Sequence, residues 1–194
     1  MKRAHGLFLW TILAVFVAVL LAPETFAQQA AAPAGVVKIR KIEQRKAPTP
    51  EYQLLKGQFM GQTREWLAVN TQYRTDPEWI DELTFSYYIM VRSKTGAKKL
   101  TLFKGDVTYI NVAKGDHKSD IYLHPSTLAR YGDVEGIAVV VNTQGRVVAM
   151  DSLPASNKRW WEQFTPVEGY VLNRMQTPFA MINFDDYEAI RTAK

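Results

Sequence analysis

Residues 83–92 read Leu-Thr-Phe-Ser-Tyr-Tyr-Ile-Met-Val-Arg, and they carry the strongest structural signal in the chain. Large apolar side chains stand at every second position of this stretch, from Leu83 to Val91. Successive side chains of a β-strand point to opposite faces, so a period of two predicts a strand with one face in the core. The stretch therefore predicts a half-buried strand rather than a helix.

Similar strand patterns flank this stretch along most of the chain. A hairpin is predicted between residues 137–141 and 146–150, because Gly145 can adopt the positive φ that tight turns often need. The sequence Asp-Pro-Glu-Trp at residues 76–79 predicts a turn that ends the preceding strand. The other predicted strands cover residues 37–47, 64–74, 100–103, 107–112, 120–123, 170–173 and 179–184.

Two short helices are predicted between these strands. The first begins at Pro125, whose φ is preset for a helix, and runs through Arg130, with Ser126 or Thr127 as its cap. The second covers residues 157–164 and is capped by Ser156.

The absence of a long amphipathic helix between the strands favours an antiparallel sheet over a parallel α/β fold. The sequence therefore predicts an all-β fold: an immunoglobulin-like antiparallel β-sandwich of seven to nine strands with one or two short helices. Tyr131, at the end of the first helix, is similar to the tyrosine corner of such sandwiches.

The N-terminus has the organisation of a secretory leader. An apolar run at residues 7–22 follows a basic start, and small side chains precede a cleavage site after Ala27. A prepilin-type cut between Gly6 and Leu7 is the alternative, and it would leave the apolar segment on the mature protein. The run of 16 residues is shorter than the roughly 20 that a spanning helix needs, which argues against its retention as a membrane anchor. After signal cleavage we expect no stable transmembrane segment.

The chain then divides into a signal peptide at residues 1–27, a flexible lead-in at 28–35 and one sandwich domain at 36–194. We expect export through the inner membrane, to the periplasm, the outer-membrane surface or the extracellular space. The chain has no cysteine, so disulfides and thiolate chemistry are excluded.

Motifs for catalysis are absent from the sequence. It has no Gly-x-Ser-x-Gly elbow, phosphate loop or dinucleotide fingerprint. His117 and His124 could bind zinc only with a carboxylate such as Asp116 or Asp120, and the spacing is poor. We interpret His117 as part of a solvated loop and His124 as a helix cap. The sequence predicts a protein that is not an enzyme and that carries no metal or cofactor.

Two groups of residues are candidates for binding. Trp160 and Trp161 stand beside Arg159 and offer large aromatic faces for a sugar ring or a protein partner, although at least one of the two is expected in the core. The first strand is basic, and its edge is either simply solvated or attracts anionic partners. The basic residues of this candidate surface are Lys38, Arg40 and Lys41, followed by Arg45 and Lys46. Nucleic acid is not expected, because stacking aromatics do not interleave with these cations.

Several stretches match a known family. They are Arg-Glu-Trp-Leu at residues 64–67, Asp-Pro-Glu-Trp-Ile-Asp-Glu-Leu-Thr-Phe at 76–85, Tyr87-Tyr88, and Met-Gln-Thr-Pro-Phe-Ala at 175–180. With these motifs the chain resembles the secreted pilus-like protein family of Akkermansia and related bacteria. The resemblance implies an immunoglobulin-like sandwich similar to the globular part of archaeal type IV pilins, encoded beside type IV pilus and secretin components.

The resemblance supplies no catalytic residues, and the leader differs from a prepilin stalk. We therefore expect a non-enzymatic structural or adhesive protein, associated with a pilus-like or secretin assembly, whose partners are envelope or pilus and secretin proteins. The alternative is a carbohydrate-binding module for host or envelope glycans. The sequence leaves the oligomeric state open.

Overall fold

The structure is a computed structural model that describes residues 35–50, 64–94 and 99–191. All of these residues belong to the compact unit Ala31–Lys194. The predicted signal peptide, its alternative cleavage sites and residues 28–34 of the predicted lead-in lie outside the described residues.

The described residues form eight strands and one α-helix. The strands are β1 (Val37–Pro48), β2 (Glu65–Arg92), β3 (Leu100–Leu123), β4 (Asp133–Thr143), β5 (Arg146–Leu153), β6 (Val167–Glu168), β7 (Val171–Asn173) and β8 (Ala189–Ile190). Helix α1 is Pro125–Tyr131, and short 3-10 helices cover Trp160–Gln163, Arg174–Gln176 and Phe184–Asp186. Every strand pairing is antiparallel except the short contact of β6 with β3. The predicted all-β, antiparallel fold class is confirmed.

All eight strands belong to one continuous sheet, whose long strands β2 and β3 are much longer than predicted and run through both layers of the fold. Residues 76–79 do not end a strand: the β2–β3 ladder shifts register between Thr75 and Trp79 and then resumes. Pro77 has no N–H to donate, so the ladder is interrupted there as a bulge instead of ending. The first layer holds β1, β7 and the parts of β2 and β3 at residues 65–75 and 115–123. The second layer holds the remaining strands and residues 79–92 and 100–113.

Aromatic side chains connect the two layers in the core. Tyr73 of the first layer packs on Phe85 of the second, with 4.7 Å between ring centroids. The Tyr87 hydroxyl donates to Ser119 Oγ across the layers at 2.7 Å. The predicted alternating stripe of β2 is fully or almost fully buried, which confirms its inward orientation.

A bulge also sets the orientation of β1. The register shifts between Ile39, which pairs with Tyr73, and Lys41, so Arg40 is the extra residue. This extra residue keeps Ile39 and Ile42 on the inner face, since without it the side chains after the bulge would change faces.

The hairpin and the first helix form where they were predicted. Gln144 and Gly145 have φ values of 49° and 73°, which is the left-handed geometry of a tight turn between β4 and β5. Helix α1 begins at Pro125 as expected, but its cap is His124, whose Nδ1 accepts the Ser126 N–H at 3.1 Å.

Three further local predictions are wrong. The second helix, predicted over residues 157–164, covers only Trp160–Gln163. The Ser156 hydroxyl accepts the Lys158 N–H and does not cap this helix. A strand was predicted over residues 179–184, but residues 179–183 form turns and Phe184 begins a 3-10 helix, because the Arg174 side chain donates to backbone carbonyls of this segment. The Tyr131 hydroxyl donates to the Tyr170 hydroxyl at 3.2 Å and not to a backbone group, unlike a tyrosine corner.

Candidate binding surfaces

The two predicted tryptophans lie on the outer face of the second layer in different environments. Trp161 is 5% exposed and packs with Met90, Leu102 and Ala138. Trp160 is partly buried and meets the Trp161 ring edge to face at 5.5 Å. We call the segment Trp160–Gln163 the tryptophan cover. Because Trp161 is buried, only Trp160 retains part of its ring face for a ligand.

The Trp160 ring rests against the sheet at a glycine. A Cβ atom at Gly136 would lie 3.2 Å from the Trp160 ring, so a larger residue there would push the ring away. Arg159, beside it, forms an exposed ion pair with Glu162 at 3.3 Å. Arg159 and Trp160 are therefore adjacent on the surface, as the sequence predicts.

The basic residues of β1 lie on the first layer, whereas the tryptophans lie on the second. The two candidate binding groups therefore do not form one surface. Arg40 pairs with Asp116 at 3.2 Å, Lys41 pairs with Glu43, and Lys46 pairs with Glu65 at 2.8 Å. All of these pairs are solvent-exposed, so each contributes little to stability. Within the described ranges, the basic side chains of β1 that form no ion pair are Lys38 and Arg45.

The histidines are structural in different ways. His124 caps α1, and its ring meets Trp66 edge to face at 4.7 Å. His117 does not lie in a solvated loop: it is part of β3, and its Nε2 lies 2.8 Å from the Ala113 carbonyl oxygen. Its Nδ1 lies 3.1 Å from a Glu188 carboxylate oxygen. In the part of the chain that the structure describes, no group of three or more His, Asp or Glu side chains could hold a metal ion.

The outer face of the first layer carries a buried ion pair that the sequence analysis did not identify. The guanidinium of Arg174 donates from Nε to both Asp120 carboxylate oxygens at 3.1 Å, and both side chains are at least 96% buried. The Tyr122 hydroxyl donates to the same carboxylate at 2.8 Å. Burial opposes the charged form of Arg174, but the hydrogen bond and charge of Asp120 hold its pKa above the usual value.

This ion pair fixes the segment that follows it. Arg174 also donates to the Phe179 carbonyl oxygen at 2.8 Å, and its guanidinium stacks over the Tyr187 ring at 3.8 Å. Burial raises the pKa of Tyr187 to about 12. The Phe179 ring stacks on Tyr122 with centroids 4.6 Å apart. We call residues 174–187 the C-terminal cover and the Arg174–Asp120 pair the arginine latch.

The C-terminal cover holds several large apolar side chains in solvent. Met181 is 71% exposed and Phe184 is 56% exposed. We call this set the apolar patch, and its members are Met175, Met181, Ile182 and Phe184. The sequence analysis did not predict their exposure, since it interpreted residues 179–184 only as a strand.

A groove lies at the end of the sandwich beside α1. Its volume is about 490 Å³. Residues 44–46 of β1, Leu128 of α1 and Val134 of β4 line it. Its lining also includes the charged residues Glu65, Lys94 and Asp133. Gln44 and Lys46 pair with Val69 and Leu67 of β2, so their side chains lie on the inner face of the layer.

Comparisons with known proteins place the chain in a family. Among curated proteins, none matches the chain. The crystal structure of a protein from Akkermansia muciniphila is similar, with a TM-score of 0.71 and 25% sequence identity over 81% of this chain and 94% of that chain. Among the described residues, no helix is long and apolar enough to cross a membrane. A family model matches residues 28–194, and the family is one of structural proteins rather than known enzymes.

The match confirms the family resemblance and the fold that it implied, whereas the pilus role and the similarity to archaeal pilins stay predictions. The chain therefore belongs to the protein family whose model spans its residues 28–194, and its fold is similar to that of the crystal structure of a protein from Akkermansia muciniphila.

Proposed function

We propose that this chain is a non-enzymatic structural or adhesive component of a pilus- or secretin-associated assembly of the cell envelope. In this proposal the chain is exported, loses its signal peptide, and contacts a protein partner through the apolar patch. The partner is an envelope, pilus or secretin protein. The observation that carries the proposal is the fixed exposure of the apolar patch on the C-terminal cover.

The physical argument starts from the cost of the arginine latch. Removing two charges from water is expensive, and a buried ion pair often stabilises a fold less than apolar residues of the same volume would. The presence of such a pair is better explained by the backbone geometry that it fixes than by the stability that it adds. Here it fixes the backbone around Phe179 so that Met181 and Phe184 remain in solvent.

Exposed apolar side chains held in one place are typical of protein–protein contact surfaces. Methionine and phenylalanine are both favoured at the centres of such interfaces. The membership of the chain in a structural family supports a binding role over catalysis.

Glycan binding through Trp160 and Trp161 is the alternative. The burial of Trp161 leaves one partly exposed ring beside Arg159, which is a smaller stacking surface than the sequence suggested. Trp160→Ala isolates this hypothesis, because it removes the accessible ring and leaves the core ring in place. Loss of glycan retention by this variant would favour the alternative.

The proposal is tested in cells that naturally make the protein. The wild-type chain and the double variant Met181→Ser/Phe184→Ser are each expressed as full-length chains, and surface filaments are sheared and separated from membranes and periplasm. We expect the wild type in the filament or envelope fraction and the double variant in the soluble periplasm. Deletion of the secretin gene should release the wild type in the same way.

The matched control is Val147→Ser/Met150→Ser on β5, which removes exposed apolar side chains elsewhere on the surface. This variant should fractionate like the wild type. Retention of Met181→Ser/Phe184→Ser in the filament or envelope fraction would contradict the proposed role of the apolar patch. Recovery of the wild type only in soluble periplasm, unaffected by the secretin deletion, would contradict the pilus association itself.

A further inference from the structure

We propose that the free edge of β1 binds an extended segment of a partner protein, whose side chains alternate between acidic and apolar, by adding it to the sheet as a further strand. This surface shares no residue with the apolar patch, so the inference does not depend on the function proposed above. It rests on the pairing of β1, its unpaired charges and the groove beside it.

The first observation is the open edge. Within the part of the chain that the structure describes, the 12-residue strand β1 pairs with β2 on one side and with no strand on the other. A free edge presents unpaired N–H and C=O groups that a further strand can bind. β5 lies near β1 but forms no ladder with it.

The second observation limits where a strand can be added. The bulge at Arg40 and the proline at Pro48 are features that usually block pairing at an edge. Between them, residues 42–47 keep a regular register with β2. This regular part is also the part that borders the groove at residues 44–46.

The outer face of β1 determines the charge of the partner. Arg45 pairs with Ala68 in the ladder and so lies on the outer face, and it forms no ion pair with any described residue. Lys38, nearer the start of the strand, also forms no ion pair with any described residue. Side chains directly opposite each other on neighbouring strands interact, so a carboxylate opposite Arg45 would be favoured. A lysine or arginine at that position would be disfavoured.

The inner face determines the other half of the pattern. Gln44 and Lys46 lie on this face and line the groove together with Leu128 and Val134. A strand added beside them would direct alternate side chains into the groove, toward these apolar residues. Apolar side chains on this face of the partner would therefore be removed from water.

A second copy of this chain does not fit the same edge. Pairing β1 with β1 would bring two basic strands together, since five of its residues are basic and only Glu43 is acidic. Like charges on neighbouring strands are destabilising. Charge complementarity therefore favours an acidic segment of another protein.

The test uses the full mature chain and two fluorescent decapeptides, one alternating valine with glutamate and one alternating valine with lysine. Fluorescence anisotropy measures binding, and amide hydrogen exchange locates it. We expect the valine–glutamate peptide to bind at least roughly tenfold more tightly than the valine–lysine peptide. Binding should slow the exchange of amides in residues 42–47.

The variant Arg45→Glu should reverse this preference between the peptides. A valine–glutamate peptide N-methylated on alternate residues cannot complete the ladder, and it should lose binding although its charge is unchanged. Met181→Ser/Phe184→Ser should bind like the wild type, so a failure here is separate from a failure of the proposed function.

Three results would overturn the inference. They are equal binding of both charged peptides, an unchanged preference in Arg45→Glu, and binding that leaves the β1 amides unprotected. Equal binding of the N-methylated peptide would show a purely electrostatic contact, which also contradicts strand addition.

Discussion

Each layer of the sandwich is covered on its outer face by a short segment, and the two covers are held by different interactions. The tryptophan cover lies on the second layer through apolar contacts of Trp161 with Met90 and Leu102. The C-terminal cover lies on the first layer through the arginine latch together with the stacking of Phe179 on Tyr122. The tryptophan cover buries the Trp161 ring, whereas the C-terminal cover exposes Met181 and Phe184.

The difference shows what a buried charge contributes that apolar packing does not. Apolar contact is non-directional, so it stabilises a segment without fixing where each backbone group lies. The guanidinium of Arg174 binds a carboxylate and backbone carbonyls at once, so it fixes the path of the segment. The arginine latch therefore fixes the geometry of the C-terminal cover, and we propose that this geometry presents the apolar patch to a partner.

The largest effect should follow from breaking the arginine latch. Asp120→Ala leaves the Arg174 charge buried without its carboxylate, so we expect a loss of about 3–5 kcal/mol in the free energy of unfolding. Urea denaturation measures this loss. The control is Asp116→Ala, which removes an exposed partner of Arg40 and should cost less than about 1 kcal/mol. Equal costs for the two variants would contradict the latch.

The next effect concerns the tryptophan cover. Trp161→Ala removes a buried ring and should cost about 3 kcal/mol in the free energy of unfolding. Trp160→Ala removes a partly exposed ring and should cost clearly less in the same denaturation experiment. The reverse order of the two costs would show that the cover is anchored by Trp160 instead.

A smaller effect should appear only at alkaline pH. The pKa of Tyr187 is raised to about 12 by burial, whereas an unfolded tyrosine ionises near about 10. The contribution of Tyr187 to stability is therefore complete below pH of about 10 and is lost as the pH rises through about 12. Tyr187→Phe should lose less stability than the wild type across this window when denaturation is measured at each pH. Identical pH profiles would mean that Tyr187 is not buried against Arg174.

The smallest effect on stability should come from the apolar patch. Met181→Ser/Phe184→Ser changes exposed side chains, so we expect a change of no more than about 0.5 kcal/mol in the free energy of unfolding. Thermal and urea denaturation check this value against Val147→Ser/Met150→Ser. A large loss would show that the patch packs against the fold and is not available to a partner.

Local patterns predicted much of the fold. The stripe from Leu83 to Val91 and the turn at Gly145 depend on neighbouring residues alone, so they are visible in the sequence. The turn predicted at Pro77 was wrong because the β2–β3 pairing, which a local pattern does not contain, carries the strand through the bulge. Burial of one tryptophan was predicted because one of two neighbouring residues in a short helix normally faces inward. Which of the two is buried depends on the sheet surface beneath.

The candidate site was less predictable than the fold. Arg174 and Asp120 are 54 positions apart, and each alone resembles an ordinary surface residue. Only the folded chain brings them together, and the hydrogen bonds of Arg174 to backbone carbonyls hold residues 179–183 in turns. The basic residues of β1 were visible in the sequence, but the structure shows that Arg40, Lys41 and Lys46 have acidic partners.

Methionine oxidation tests the central claim most directly, because peroxide reacts with exposed thioethers. Isolated protein and the filament or envelope fraction are treated identically, and oxidation is followed at Met181, at exposed Met150 and at buried Met90. We predict that Met181 oxidises several-fold more slowly in the assembled fraction, while Met150 keeps its rate and Met90 stays protected in both. Equal oxidation of Met181 in the two samples would contradict the claim that the C-terminal cover presents the apolar patch to a partner.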